Sequence, residues 1–343
     1  MRKVLSLALA VMLLLSLAAC KSGGRGRSDN IIDGSGAPEF SRPSSDGGEH
    51  TSPESPAAGE QLADVGSEVR GVWLSYLELT GLMKGKSEHE FRMGLAKVLD
   101  TCADFGLNTV ILQVRPYGDA IYPSEIFPQS YLFTGEEGSV GKAPYDALAI
   151  SVEEAHKRKL RLEAWINPYR VRAKADLPLS ADNPAVDMLQ SGDAIKLGEL
   201  ISYNPSSAAA QALIVAGITE IVESYDVDGI HFDDYFYPVT DESFDRRDYS
   251  AYKASGGAKD LAAWRRGNVT ALVRKVHDAI EITKPSVRLG ISPQGNIDNN
   301  LNKQFVDIEE LIKAGLIDYI CPQMYYGFNN DTCPYVATIK MFN

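Results

Sequence analysis

The sequence predicts an α/β fold, and within that class a (β/α)8 TIM barrel that is C-terminally incomplete, with six strands visible. Three observations predict it. Apolar runs of strand length alternate with helical patterns in the order β(αβ)5, with no sign of a hairpin, and strict alternation of this kind calls for a parallel sheet. Each strand turns polar toward its C-terminal end on one parity; a barrel gathers such tips at one mouth, whereas an open sheet spreads them out. No glycine-rich phosphate loop follows the first strand, as a dinucleotide-binding sheet would require.

Taken in order, Arg70–Tyr76 reads as the first strand. Glu88–Phe105 reads as a helix, with Phe91, Leu95, Val98, Leu99 and Cys102 at three-to-four spacing. The strand Asn108–Pro116 carries Gln113 and Arg115 on one parity and Val110, Leu112 and Val114 on the other. After the helix Tyr145–Lys159, the strand Leu160–Tyr169 sets Glu163, Trp165 and Asn167 against Leu162, Ala164 and Ile166. The helix Pro205–Tyr225, with Ser206 or Ser207 near its cap, leads into Val227–Tyr237, where His231 and Asp233 oppose Ile230 and Phe232. The helix Asp260–Thr283 precedes the strand Val287–Ser292, which ends in Ser292 and Gln294; Val306–Ala314 is a short helix before Ile317–Tyr325, which carries Gln323 and Tyr325. Residues 117–144, 170–204 and 239–259 read as long, irregular, aromatic-rich insertions. A barrel of this type has eight strands and the chain reaches Asn343 shortly after the sixth, so either two βα units are missing or two more hide in these insertions; their irregular look favours a C-terminally incomplete copy.

Ahead of the barrel lies an export signal. Arg2 and Lys3 precede a nearly unbroken apolar run from Val4 to Leu17, then Ala18, Ala19 and Cys20. The run is short of the roughly 20 apolar residues of a membrane span. Residues 1–20 therefore read as a lipoprotein signal peptide ending on Cys20, where Leu17–Cys20 looks like a bacterial lipobox and implies a lipid on that cysteine. Residues 21–67, rich in Ser, Gly, Pro and Glu, cannot bury enough surface to fold and read as a flexible tether reaching roughly 40 Å. The domain is expected over 68–343, in a cell envelope outside the cytoplasm, with the membrane as partner through the lipid on Cys20. The net charge of −12 repels phosphate backbones and argues against nucleic acid. No cysteine or histidine spacing resembles a metal site, and no cofactor motif is present.

The strongest chemical constellation is Asp228–Pro238, sequence DGIHFDDYFYP. Alternation sends Asp233 and His231 to the barrel axis, and Asp234 reaches the cleft if the parity relaxes past the strand end. Two acids at one strand tip beside Tyr235, Phe236 and Tyr237 suit sugar chemistry, because a carboxylate can stabilise an oxocarbenium-like centre and rings can stack on sugar faces. The structural alternative is that Asp233 pairs with Arg115 and Asp234 caps a loop. A second carboxyl is required, and Glu163, Asp119, Glu125 and Asp234 are the candidates. Arg115 either binds a substrate oxygen or neutralises Asp233; Asn167 either holds a hydroxyl or caps a turn; Trp73 and Trp165 are either core or stacking platforms. Gln294, Gln323 and Tyr325 are hydroxyl-binding types at strand tips. Catalytic candidates are thus Asp233 and Asp234; substrate-binding candidates are Arg115, Trp165, Asn167, His231, Tyr235, Gln294, Gln323 and Tyr325.

At these residues the chain resembles a known family. Arg70–Ser75 (RGVWLS), Gln113–Pro116 (QVRP), Ala164–Val171 (AWINPYRV), the Asp228–Pro238 block and Pro322–Tyr326 (PQMYY) look like the glycosyl-hydrolase-like 10 family of bacterial envelope proteins. The resemblance implies a TIM barrel and glycoside hydrolysis, and some members are thought to cut peptidoglycan glycan strands. The Gly229-to-Asp233 spacing also looks like the fourth-strand motif of the α-amylase superfamily, which implies Asp233 as nucleophile. Two departures stand out: the family commonly has His where Glu163 stands, and its closing strands are absent. The expected function is a lipid-anchored glycoside hydrolase acting on an envelope or extracellular polysaccharide. The alternatives are a non-catalytic glycan-binding barrel and a transporter's solute-binding lipoprotein, the last needing two lobes and an open sheet.

Overall fold

The structure is a computed structural model that describes residues 68–174 and 177–342; the leader, Cys20 and the tether lie outside the described residues. In chain order, β1 (Gly71–Leu74), α1 (Tyr76–Met83), α2 (Glu88–Asp104), β2 (Thr109–Arg115), α3 (Ala147–His156) and β3 (Arg161–Ile166) form the first part. An insertion follows, with β4 (Arg170–Arg172), α4 (Ala185–Ser191), β5 (Ala194–Leu197) and β6 (Leu200–Tyr203). Next come α5 (Ala208–Ser224), β7 (Gly229–Phe232), α6 (Arg246–Ala254), α7 (Leu261–Thr283) and β8 (Arg288–Ile291). The last elements are α8 (Ile297–Asn302), α9 (Ile308–Lys313), β9 (Tyr319–Ile320) and α10 (Tyr335–Phe342).

Six strands make one curled sheet in the order β1-β2-β3-β7-β8-β9, every neighbouring pair parallel, as the alternation requires. The outward parity (Val110, Leu112, Leu162, Ala164, Ile230, Phe232, Leu289, Ile291) is buried beneath the helices. The helices start where the sequence provides a cap. Ser87 and Glu90 form a reciprocal capping box at α2, and Asp146, Ser207 and Asp260 each accept an N–H in the first turn of α3, α5 and α7. Each helix then presents an apolar stripe: Phe91, Leu95, Leu99 and Cys102 on α2, Ile214, Ile218, Ile221 and Val222 on α5. Each such side chain contributes roughly 1.5–3 kcal/mol by leaving water.

Inside the curl, polar side chains bond to one another. Trp73 Nε1 donates to His231 Nε2 at 3.3 Å, the His231 Nδ1 lies 2.8 Å from the Tyr319 hydroxyl, and that hydroxyl donates to Glu163. Two glycines make room for this layer. A Cβ on Gly290 would fall 1.9 Å from Tyr319 Cζ, and one on Gly229 would fall 2.9 Å from Glu163 Cγ.

Several expectations fail. The insertion at 239–259 is not irregular throughout, since it carries α6 (Arg246–Ala254), and the last strand is confined to Tyr319–Ile320. The insertion at 170–204 is not irregular and does contain a hairpin. β5 and β6 pair antiparallel around a two-residue turn at Gly198 and Glu199, with Gly198 at φ +57°, and β4 adds to β6 to complete a three-stranded sheet. The first strand ends at Leu74 rather than Tyr76, because Ser75 and Glu78 form a capping box that starts α1 directly at the tip. The three described cysteines, Cys102, Cys321 and Cys333, are free.

Candidate active site

The mouth is built on the tip of β7, at the centre of the sheet. Asp233 is 5% exposed, and three N–H groups converge on its carboxyl: Trp165 Nε1 at 3.2 Å and Asn167 Nδ2 at 2.5 Å reach Oδ2, and the backbone N–H of Tyr235 reaches Oδ1 at 3.0 Å. Burial, with the neighbouring Asp234 charge second, pushes the Asp233 carboxyl up to about 7; the Arg170 charge and the Tyr235 and Asn167 hydrogen bonds pull the other way. Asp234 is half-buried and turns toward the other neighbouring tips. Its Oδ2 accepts from Gln294 Nε2 and its Oδ1 from Gln323 Nε2, each at 2.9 Å. The two sequence neighbours are therefore anchored on opposite sides, Asp233 to the tip of β3 and Asp234 to the tips beyond β8 and β9. Two amides hold Gln294 in place, the Asn299 side chain on its Oε1 and the Asn300 Oδ1 on its backbone N–H. Gln323 also donates to the Ser292 carbonyl.

Trp165, Asn167, Gln294 and Gln323 thus meet the two acids directly. Tyr235 is 39% exposed beside them, and Tyr325 is exposed just beyond β9. Phe236 and Tyr237 do not join as stacking rings: both are buried, Tyr237 against Phe244 and Phe305.

The structure places two candidates elsewhere. Arg115 is fully buried on the helix side, its guanidinium 3.5 Å from the Phe127 ring centroid and against Gly217 of α5. The cause is a register shift between Gln113 and Arg115 that pairs Arg115 with Ile166, an outward position, so strict alternation fails one residue before Pro116. It neither reaches the cleft nor pairs with Asp233. His231 does face the axis, but it is fully buried and both ring nitrogens are engaged by Trp73 and Tyr319; burial drives its pKa down to about 3, so the ring is neutral. It is part of the barrel filling rather than a group offered to substrate.

The other acids considered as partners lie away from the two aspartates. Glu163 lies in the barrel interior with Tyr319, its carboxyl raised by burial. Asp119 is buried with Arg172 at 3.7 Å, and Arg172 also pairs with Glu137 at 2.7 Å. Glu125 is exposed in the first insertion, where its backbone N–H donates to Glu220.

Two residues at the mouth had no role assigned from sequence. Arg170 opens β4, its guanidinium between the rings of Tyr117 and Tyr235 at 4.9 and 4.5 Å, with Nε on the Pro116 carbonyl and Nη2 on Asn167 Oδ1. Gln113 bridges the Tyr76 N–H and Asn167. The readable signal for Gln113 was its parity; Arg170 falls just past a strand end, where parity no longer guides.

Comparison with known proteins gives the family and the fold. The family profile described as glycosyl hydrolase-like 10 matches residues 68–340. Glycosyl hydrolase YngK of Bacillus subtilis (strain 168) is 38% identical over 286 residues, covering 76% of this chain and 55% of that protein. Glycosyl hydrolase DigH of Escherichia coli (strain K12) is 35% identical over 267 residues, covering 71% of this chain and 60% of that protein. The chain thus spans somewhat more than half the length of these curated relatives. Among solved structures, the glycoside hydrolase domain of PgaB (BpsB) from Bordetella bronchiseptica is similar in fold, with a TM-score of 0.51 at 13% identity, covering 74% of this chain and 73% of that one. With a match across the whole described barrel and relatives at this level of identity, the chain belongs to the glycosyl hydrolase-like 10 family.

Proposed function

We propose that this chain is a glycoside hydrolase acting on an envelope or extracellular polysaccharide, peptidoglycan glycan strands among them, with Asp233 and Asp234 as its working carboxyls. The observation that carries this reading is the unlike setting of two adjacent acids at one strand tip. Asp233 is buried and holds its proton to about pH 7, which suits a group that protonates a leaving oxygen near neutrality. Asp234 is half-buried between two amide N–H donors, which suits a carboxylate facing positive charge that develops at the sugar carbon. The resemblance to the α-amylase motif gave Asp233 the nucleophile's part; its protonation favours the acid's part instead. Tyr235 and Trp165 supply ring surface beside the acids, and the Gln294 and Gln323 amides supply hydroxyl-binding chemistry.

The anchor extends the proposal. A lipid on Cys20 with a tether through residue 67 would keep the mouth within roughly 40 Å of a membrane surface, within reach of wall glycan. The test is release of reducing ends by the purified protein from a panel of glycans that includes peptidoglycan stripped of its peptides. Turnover that Asp233→Asn and Asp234→Asn both abolish supports the reading. Glycan binding that survives Asp233→Asn, with no turnover by the parent protein on any member of the panel, would replace it with a non-catalytic glycan-binding barrel. Incorporation of labelled fatty acid that persists in Cys20→Ala would remove the anchor.

A further inference from the structure

We propose that Gln113 and Arg170 are positioning residues: together they lock the Asn167 side-chain amide with its NH2 on Asp233, and so govern how tightly Asp233 holds its proton. The proposal deepens the reading of Asp233 given above, and its test is independent of substrate.

Two donors that cannot reverse set the orientation of Asn167. A backbone N–H can only donate, so the Tyr76 N–H fixes Oε1 of Gln113, which accepts it at 2.8 Å. The other end of that amide, Nε2, must then face Asn167, and it donates to Asn167 Oδ1 at 2.5 Å. Gln113 is buried, so its amide ends bond to protein groups rather than to bulk water. From the opposite direction comes a guanidinium, which also can only donate: Arg170 Nη2 reaches the same Oδ1 at 3.1 Å. Arg170 is held by the Pro116 carbonyl and by two tyrosine rings. Two obligate donors on Oδ1 leave Asn167 one orientation, with Nδ2 toward Asp233 Oδ2. Reversal would set Asn167 Oδ1 against Asp233 Oδ2, an arrangement that only a protonated Asp233 can satisfy.

The charged and titratable groups facing Asp233 are Asp234 and Tyr235 on its own tip and Arg170 from β4; Trp165 and Asn167 face it from the tip of β3 as neutral donors. Arg170 acts on Asp233 both by charge and through Asn167, so replacing it cannot separate the two routes. Gln113 carries no charge and does not touch Asp233, which makes it the informative position.

The experiment is a carbon-13 NMR titration of the side-chain carboxyls, with the Asp233 signal assigned by its loss in Asp233→Asn. In Gln113→Met, Asp233 is expected to bind its proton at least threefold more tightly than in the parent. In Asn167→Ala the tightening should be larger, about tenfold for a shift of one pH unit. Adding Gln113→Met to Asn167→Ala should change the titration no further. A purely structural Gln113 would lower the unfolding midpoint and leave the Asp233 titration in place. An unmoved titration in Gln113→Met, or a shift that persists in the Asn167→Ala background, overturns the proposal. If the Met variant does not fold, Gln113→Leu, which is also uncharged and can neither accept from Tyr76 nor donate to Asn167, carries the same expectation of tightening. Since no substrate is present, a negative hydrolysis screen leaves this result standing, and an unmoved titration leaves the hydrolase reading standing.

Discussion

Substituting Gly290 by alanine should be among the most damaging single-methyl changes in this barrel. The added Cβ would sit 1.9 Å from Tyr319 Cζ and 2.3 Å from its Cε1 and hydroxyl oxygen, well inside contact distance. The ring cannot slide away freely. Its hydroxyl is bound by Glu163 and His231, and the Arg288 guanidinium lies 4.5 Å over its face. If ring and backbone yield together, overpacking costs about 1–3 kcal/mol. If the ring leaves, buried Glu163 and His231 each lose a partner at about 1–3 kcal/mol apiece, in addition to the apolar contact. The expected loss is therefore about 1–3 kcal/mol if ring and backbone yield and about 2–6 kcal/mol if the ring leaves, read from urea unfolding followed by tryptophan fluorescence. Gly81→Ala is the control: it lies within α1 with nothing within 4 Å of its would-be Cβ, and should gain up to about 1 kcal/mol. Replacing Tyr319 by leucine should cost less in the Gly290→Ala background than in the parent, because both changes act on one space. A Gly290→Ala loss below about 1 kcal/mol, or strict additivity of the pair, would refute the packing argument.

Asp233→Asn should reduce hydrolysis by about 10²–10⁴-fold, measured as kcat/KM on the best glycan of the panel. The same variant should be more stable than the parent above neutral pH. With its folded pKa raised from 3.8 to about 7, Asp233 binds a proton in the native state that the unfolded chain has already released, so stability falls as pH rises through that window. The gain in Asp233→Asn should be absent below pH 4 and reach on the order of 2–4 kcal/mol above pH 7, by denaturant titration at several pH values; a gain independent of pH would contradict the assignment. His156, whose pKa is raised by its hydrogen bond to Asp228, contributes stability that is full below its ordinary value of 6.5 and is lost as pH rises through the higher folded value. His156→Ala should therefore destabilise at pH 5.5 more than at pH 9. Arg172→Met should cost about 3–5 kcal/mol by thermal unfolding, since it leaves Glu137 and Asp119 as buried acids without their cation.

The parallel alternation and the inward parity of the strand tips were legible because they rest on two periods that survive in any single sequence. Asn167, Trp165, Asp233 and Gln323 were placed at the mouth by counting in twos. The count broke at Arg115, because a bulge adds a residue without leaving any trace in residue type. It also said nothing of Arg170, which lies beyond the strand it would have been counted from. The β5–β6 hairpin was hidden because each strand is four residues long and its turn is Gly–Glu rather than the stronger Asn–Gly or Asp–Gly signal. The capping box at Ser75 and Glu78 was readable and would have ended the first strand two residues earlier. The wedging of Asp234 between two glutamines depends on where three separate tips converge, which no local pattern encodes.

The chain of bonds from Trp73 through His231 to Tyr319 runs between the two outermost strands of the six, β1 and β9, across the hollow of the sheet. It works as a bowstring. Strand pairing gives the sheet its twist, while the string limits how far the bow can straighten. Its links join residues 158 and 88 apart in sequence, with Glu163 drawn in across 156. Contacts this far apart in sequence carry a larger loop-closure cost than local ones. Because Asp233 and Asp234 are held by opposite flanks of the same curve, a change in its curvature would change the gap between the two carboxyls.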